Sequence, residues 1–117
     1  MRIVYVAGPI SSDPLIGTRN AILAAAQLRS VGLGFIVPHL SCLFQMVSPQ
    51  PYESWMGLDL ALIERCDALL RLPGDSFGAD REVQHARQQG IPVYLDVGQC
   101  INEMAPRAFE MTAAGGR

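Results

Sequence analysis

Four short, nearly unbroken apolar runs punctuate the chain: Arg2–Ala7 (RIVYVA), Gly34–Val37 (GFIV), Ala68–Leu72 (ALLRL) and Ile91–Asp96 (IPVYLD). They are rich in β-branched and aromatic residues and close on Gly, Pro or Asp, which predicts strands buried on both faces. Longer stretches of helical texture lie between them. Thr18–Val31 is rich in Ala and Leu and stops at Gly32; Ala79–Gln89 stops at Gly90. Gly just past a helical stretch is a C-terminal signal. Glu53–Cys66 (ESWMGLDLALIERC) predicts a third helix, and Asn102–Met111 a last one interrupted by Pro106. His39–Tyr52 carries Ser48, Pro49 and Pro51 among Leu43, Phe44, Met46 and Val47, which predicts a loop with one helical turn.

Strand and helix thus alternate four times. That pattern predicts a single α/β domain, flavodoxin- or Rossmann-like, over residues 1–111, with 112–117 a flexible tail. Its parallel sheet of four to five strands takes the order 2-1-3-4, with helices on both faces. In this order the winding reverses between strands one and three, and ligands bind beyond the carboxyl ends of strands at such a point. The turn Gly8-Pro9-Ile10-Ser11-Ser12 and the loop Pro73–Gly78 end those two strands.

Composition narrows the chemistry. Half of the 117 residues are apolar and the net charge is −2, so a core forms and no basic footprint for a nucleic-acid polymer or a membrane surface exists. All nine basic residues are Arg; without Lys there is no Schiff-base chemistry, no covalently held pyridoxal phosphate and no Walker-type lysine. Cys42, Cys66 and Cys100 are odd in number and widely spaced, as reduced thiols in a cytoplasmic protein are. His39 and His85 have no partner at zinc spacing, so no metal is expected. No apolar segment approaches the about 18 residues that a membrane span needs.

Three side chains stand out near the switch point. Glu82 sits on the first turn of the predicted third-to-last element, either as a solvated acid favoured by the helix dipole or aimed at the loop end of the sheet. A capping box is excluded, since residue 79 is Ala. Asp59 interrupts GLDLALI, on a wet helical stripe or directed into a cavity. Tyr5 faces opposite to Val4 and Val6, and a phenol in a central strand needs a polar partner. Gly74, Ser76 and Gly78 precede a helix N-terminus, which permits an anion. Asp67, at a helix–strand junction, is expected to bond the local backbone, and His39 either to cap a turn or to reach a ligand.

Taken together, YVAGPIS after the first strand, Asp-Leu in the helix before strand three, Cys-Asp-Ala-Leu-Leu and S-x-G-A-x-x-E-x-x-x-A resemble the nucleoside 2-deoxyribosyltransferase-like superfamily, over residues 2–95. The resemblance implies an N-glycosidase of 2′-deoxynucleoside 5′-monophosphates, with base transfer as a further activity. Glu82 is then the nucleophile that forms a glycosyl ester, Asp59 the acid that assists departure of the base, and Tyr5 the residue that orients Glu82. The substrate-binding set expected with it is Gly8, Pro9, Ile10, Ser11, Ser76 and Gly78, with Ser76 meeting the 5′-phosphate where nucleoside-acting relatives carry an Asp, and with Arg19 of the first helix as this chain's own candidate for the phosphate. The phosphate-acting branch typically has Arg in the turn after strand one, where this chain has Ser11-Ser12-Asp13. No cofactor is required, and a homodimer or higher homo-oligomer is expected, with apolar Leu43–Val47 and Trp55-Met56 exposed. The alternatives are a non-catalytic nucleotide-binding module of the same fold and a ribonucleotide phosphoribohydrolase, whose Pro-Gly-Gly-x-Gly-Thr-x-x-Glu is loosely echoed by Pro73–Glu82.

Overall fold

The computed structural model describes residues 1–10 and 13–107. In chain order the elements are β1 (Ile3–Ala7), α1 (Pro14–Ser30), β2 (Gly34–Ile36), a 3-10 turn (Pro38–Leu40), α2 (Ser41–Val47), α3 (Tyr52–Ile63), β3 (Ala68–Arg71), α4 (Phe77–Gln88), β4 (Val93–Tyr94) and α5 (Val97–Met104). The four strands form one parallel sheet in the order β2-β1-β3-β4, as the alternation predicts. Tyr5 pairs with Ile36 on one side and Leu69 on the other.

The pleat splits the core in two. Val4, Val6, Ala68, Leu70 and Tyr94 point to one face, covered by Ala21, Ala24, Ala25 and Leu28 of α1 and Cys100 of α5. Tyr5, Ala7 and Leu69 point to the other, covered by Ile63 of α3 and by Ala79, Val83 and Ala86 of α4. The spacing of the α1 residues follows one helical stripe, and their small size lets the helix lie close to the sheet.

Several boundaries differ from the sequence expectation. α1 begins four residues earlier, at Pro14, because Asp13 caps it: its carboxylate accepts from Ile16 N at 3.2 Å, with Pro14 in the first turn. α4 begins at Phe77, capped by Ser76, whose Oγ accepts from Ala79 N at 3.0 Å. Glu82 therefore lies on the second turn of α4 and not the first. The expected loop at 39–52 contains a 3-10 turn and the full helix α2. β4 shrinks to two residues, since Asp96 leaves the strand to cap α5 through Gln99 N. α5 accordingly covers Val97–Met104 and stops before Pro106; the expected extension to Met111, like the expected tail at 112–117, lies outside the described residues.

Asp67 also departs from expectation. Its carboxylate accepts from Ile3 N at 2.8 Å while its own amide donates to Ile3 O at 2.8 Å, so it pins the start of β1 to the chain entering β3 rather than serving a local turn.

Pro9 joins the two ends of the switch point. A Cβ on Gly17 in α1 would stand 2.3 Å from the Pro9 carbonyl oxygen, and one on Gly74, at φ +115°, would stand 2.8 Å from Pro9 Cγ. Two glycines from different elements thus let the β1 turn nest between α1 and the β3–α4 loop. Gly17→Ala is expected to destabilise the fold by about 1–3 kcal/mol, the usual range for overpacking, since the contact is with backbone. Urea unfolding reads this directly, and an unchanged midpoint would show that the turn has slack.

Candidate functional site

The face of β1 covered by α3 and α4 brings together the three residues singled out for chemistry. Tyr5 is fully buried, and its hydroxyl donates a short hydrogen bond to Oε2 of Glu82 across 77 residues of sequence. Glu82 is 5 % exposed and belongs to the buried stripe of α4, with Ala79, Val83 and Ala86. A carboxylate thus occupies a position where the helix pattern otherwise places a small or apolar side chain, which removes the solvated reading. Asp59 is half-buried on α3, within hydrogen-bonding reach of both Glu82 and Tyr5. The wet-stripe reading of Asp59 does not hold either.

Burial governs the charges. It pushes the Glu82 carboxyl up to about 7; the Tyr5 hydrogen bond opposes this rise and the nearby Asp59 adds to it. Burial likewise pushes Asp59 up to about 6, opposed by the polar Glu82 and Tyr5 side chains near it. Burial, then the negative charge of Glu82 and Asp59, raises the Tyr5 phenol well above its usual range, so it stays a donor. Burial thus raises both carboxyl groups toward neutrality, and two neighbouring carboxyl groups titrate as a coupled pair. Such a pair can attack an electrophilic carbon with one member and hand a proton to a leaving group with the other. Desolvation outweighs the help that the phenol gives to the ionised form of Glu82.

The flanking residues divide. Gly8 is buried, and a Cβ there would stand 3.1 Å from Leu72 Cβ and 3.6 Å from His39 Nε2, so it is a close-packing glycine at the strand end. Pro9 and Ile10 are half-buried beside it, and Ser11 lies outside the described residues. Ser76 is half-buried and its oxygen is engaged as a cap, leaving its hydroxyl proton to donate. Gly78 lies one turn before Glu82, with the Tyr52 hydroxyl 3.4 Å and Met56 Cε 3.5 Å from the place a Cβ would take. Arg19 is exposed on α1. His39, 1 % exposed in the 3-10 turn, packs on the Gly8-Pro9 backbone and caps no turn; burial lowers its pKa, so it is neutral. Its ring nitrogens complete no hydrogen bond among the described residues.

Sequence reasoning missed two residues. Tyr52 sits under the Arg81 guanidinium, 5.8 Å from its ring centroid, while Arg81 pairs with Glu53 at 2.8 Å. Arg71 bridges the β3–α4 loop to Asp80 at 3.0 Å. A charge at the last position of an apolar strand was the signal for the latter. Among the described residues no group of three or more His, Cys, Asp or Glu is placed to hold a metal. No helix is long and apolar enough to cross a membrane, again among the described residues.

A family model described as a domain of unknown function, DUF4406, matches residues 2–95. No curated protein matches the chain. Among solved structures, the fold is similar to a 2-desoxiribosyltransferase from Leishmania mexicana (TM-score 0.62, 17 % identity, covering 80 % of this chain and 62 % of that one). It is also similar to a conserved protein from Enterococcus faecalis V583 (TM-score 0.66, 23 % identity, covering 80 % of this chain and 61 % of that one). The chain spans less than two thirds of either relative, and at these identities the likeness is one of fold.

Proposed function

The chain belongs to the DUF4406 family, a nucleoside deoxyribosyltransferase-like family, and from that premise we propose that it is an enzyme that cleaves the base–sugar bond of 2′-deoxynucleoside 5′-monophosphates. The observation that carries this reading is the cluster of buried Tyr5 and Glu82 with half-buried Asp59 between β1, α3 and α4. Glu82 attacks C1′ of the deoxyribose; the C1′–N bond breaks, and the base leaves with the electron pair and takes a proton from Asp59. The resulting glycosyl ester on Glu82 is opened by water, whose proton passes to Asp59, or by a second base in a transfer reaction. Tyr5 fixes which oxygen of Glu82 faces the sugar. The phenol hydrogen bond favours the ionised form that attacks, and the desolvated pair keeps a proton ready for the leaving base.

Ser76 supports a phosphate-bearing substrate: its hydroxyl is neutral and still has a proton to give, next to the first amides of α4. The reading is tested by incubating the protein with a panel of deoxy- and ribonucleoside monophosphates and free deoxynucleosides and detecting free base by chromatography. Release from deoxynucleoside monophosphates ahead of the other two classes supports it. Preference for ribonucleotides points to a phosphoribohydrolase, and no release from any of them to a binding module.

The protein acts as a homo-oligomer in this reading. Leu43, Phe44, Met46 and Val47 of α2 are 68 %, 57 %, 79 % and 88 % exposed, an apolar row that fits a self-association face. Met56, expected with them, is instead 4 % exposed and belongs to the packing against α4. Phe44→Glu with Met46→Glu is expected to lower the mass seen by sedimentation equilibrium to that of one chain; an unchanged mass would move the interface elsewhere.

A further inference from the structure

Arg71 is the one charged residue of β3 and closes it, with a side chain only 12 % exposed. Its guanidinium donates to the Leu72 carbonyl, to the Gly74 carbonyl at 2.9 Å and to Oδ1 of Asp80 at 3.0 Å. Those acceptors belong to the end of the strand, the left-handed turn of the loop and the first turn of α4. The ion pair itself counts for little, because Asp80 is 72 % exposed and solvent screens such a pair. The two carbonyl bonds are what a surface ion pair does not explain. A planar fork with several donors in fixed directions can tie three segments at once, which an ammonium cannot.

We infer that Arg71 is the positioning residue of the site, fixing the β3–α4 loop so that Ser76 and the Glu82 turn of α4 hold their places against Tyr5 and Asp59. The inference rests on the reading of Glu82 as nucleophile. Arg71 has a second effect through charge. The titratable and charged groups facing Glu82 are Tyr5 from β1, Asp59 from α3 and Arg71 from β3, and Arg71 is the cation among them, favouring ionised Glu82 against the desolvation. A single side chain thus fixes where the nucleophile stands and, less than burial, Tyr5 or Asp59, bears on how readily it ionises.

The two effects separate in two variants of the full chain, Arg71→Met and Arg71→Lys. Each is assayed for base release from 2′-deoxynucleoside 5′-monophosphates across pH and for amide hydrogen exchange over residues 74–80, with circular dichroism melts to establish folding. Arg71→Met is expected to lower kcat about tenfold to a hundredfold, with KM changed less, since small misplacements act mainly on the reacting geometry. It also moves the acid limb of the pH profile to higher pH and speeds exchange in the loop. Arg71→Lys restores the acid limb, because the charge returns, and leaves kcat low and exchange fast. Arg87→Met, at an exposed residue that lines a groove of about 430 Å3 together with Arg71, keeps wild-type values. A folded Arg71→Met protein with wild-type kcat or wild-type loop exchange overturns the inference; if Arg71→Met does not fold, Arg71→Lys decides by the same two readouts. If the wild-type chain releases no base, the reading of Glu82 falls separately, and loop exchange alone decides on Arg71.

Discussion

Replacing Glu82 by Gln is expected to abolish base release from 2′-deoxynucleoside 5′-monophosphates, by at least about a thousandfold in kcat, while the protein remains folded. Removing a nucleophile is among the largest single losses an active site shows, because nothing else present forms the covalent bond. The amide matches the carboxylate in shape, so Ala79, Val83 and Ala86 keep their packing around it. Tyr5 still finds an oxygen to donate to. Gln also carries no charge, so the desolvation that pushes the Glu82 carboxyl up to about 7 no longer opposes folding at alkaline pH. The melting temperature at pH 8 is therefore expected to match or exceed that of the wild type. Glu82→Ala is the contrasting variant: it takes the bonded acceptor from a fully buried phenol, at a cost of about 1–3 kcal/mol, and loses activity for a mixed reason. Chromatographic base release with both proteins, beside their melting curves, reads the prediction. A Gln variant that turns over at the wild-type rate would falsify the nucleophile assignment and leave Glu82 a structural acid.

Much of this architecture is legible in the sequence, and the residues show why. The strands announce themselves because a strand buried on both faces must be apolar throughout, as IVYVA and ALL are. The order 2-1-3-4 follows from right-handed crossovers once four such runs alternate with helices. Boundaries were less legible because capping is decided by a single side chain: Asp13, Ser76 and Asp96 each start a helix that periodicity alone places two or more residues away or within a strand. The same shift moved Glu82 from the first turn to the second, where its burial, not the dipole, sets its charge. Tyr5, Asp59 and Glu82 were legible as polar residues inside apolar patterns. Arg71 broke its pattern in the same way, but its partners, two backbone carbonyls and an exposed Asp, have no signature in sequence. Asp67 reads as a local turn residue because the amide it accepts from, that of Ile3, is 64 positions away.

The carboxyl pair also makes activity and stability move in opposite directions with pH on the acid side of the activity peak. Asp59 at about 6 and Glu82 at about 7 both lie above the ordinary range near 4. The active form has one proton on the pair, placed on Asp59 for the leaving base while Glu82 is ionised to attack; the proton otherwise favours Glu82, so this is the less populated of the two arrangements of one shared proton. Activity is thus expected to rise as the pair loses its first proton, to peak between about 6 and about 7, and to fall as the second is lost. Stability follows a different rule. Between about pH 4 and about pH 7 the folded protein binds more protons at this pair than the unfolded chain does, so the unfolding free energy falls as pH rises through that window and levels off above it. The sign is the reverse of that for a salt-bridged carboxylate, because burial rather than a cation dominates here. Thermal melts from pH 4.5 to pH 8 should show the wild type losing stability across that window. Asp59→Asn with Glu82→Gln should flatten the slope, since neither position then titrates. A wild-type slope that survives in the double variant would assign the pH dependence to other groups and place both carboxyl groups closer to water than their burial implies.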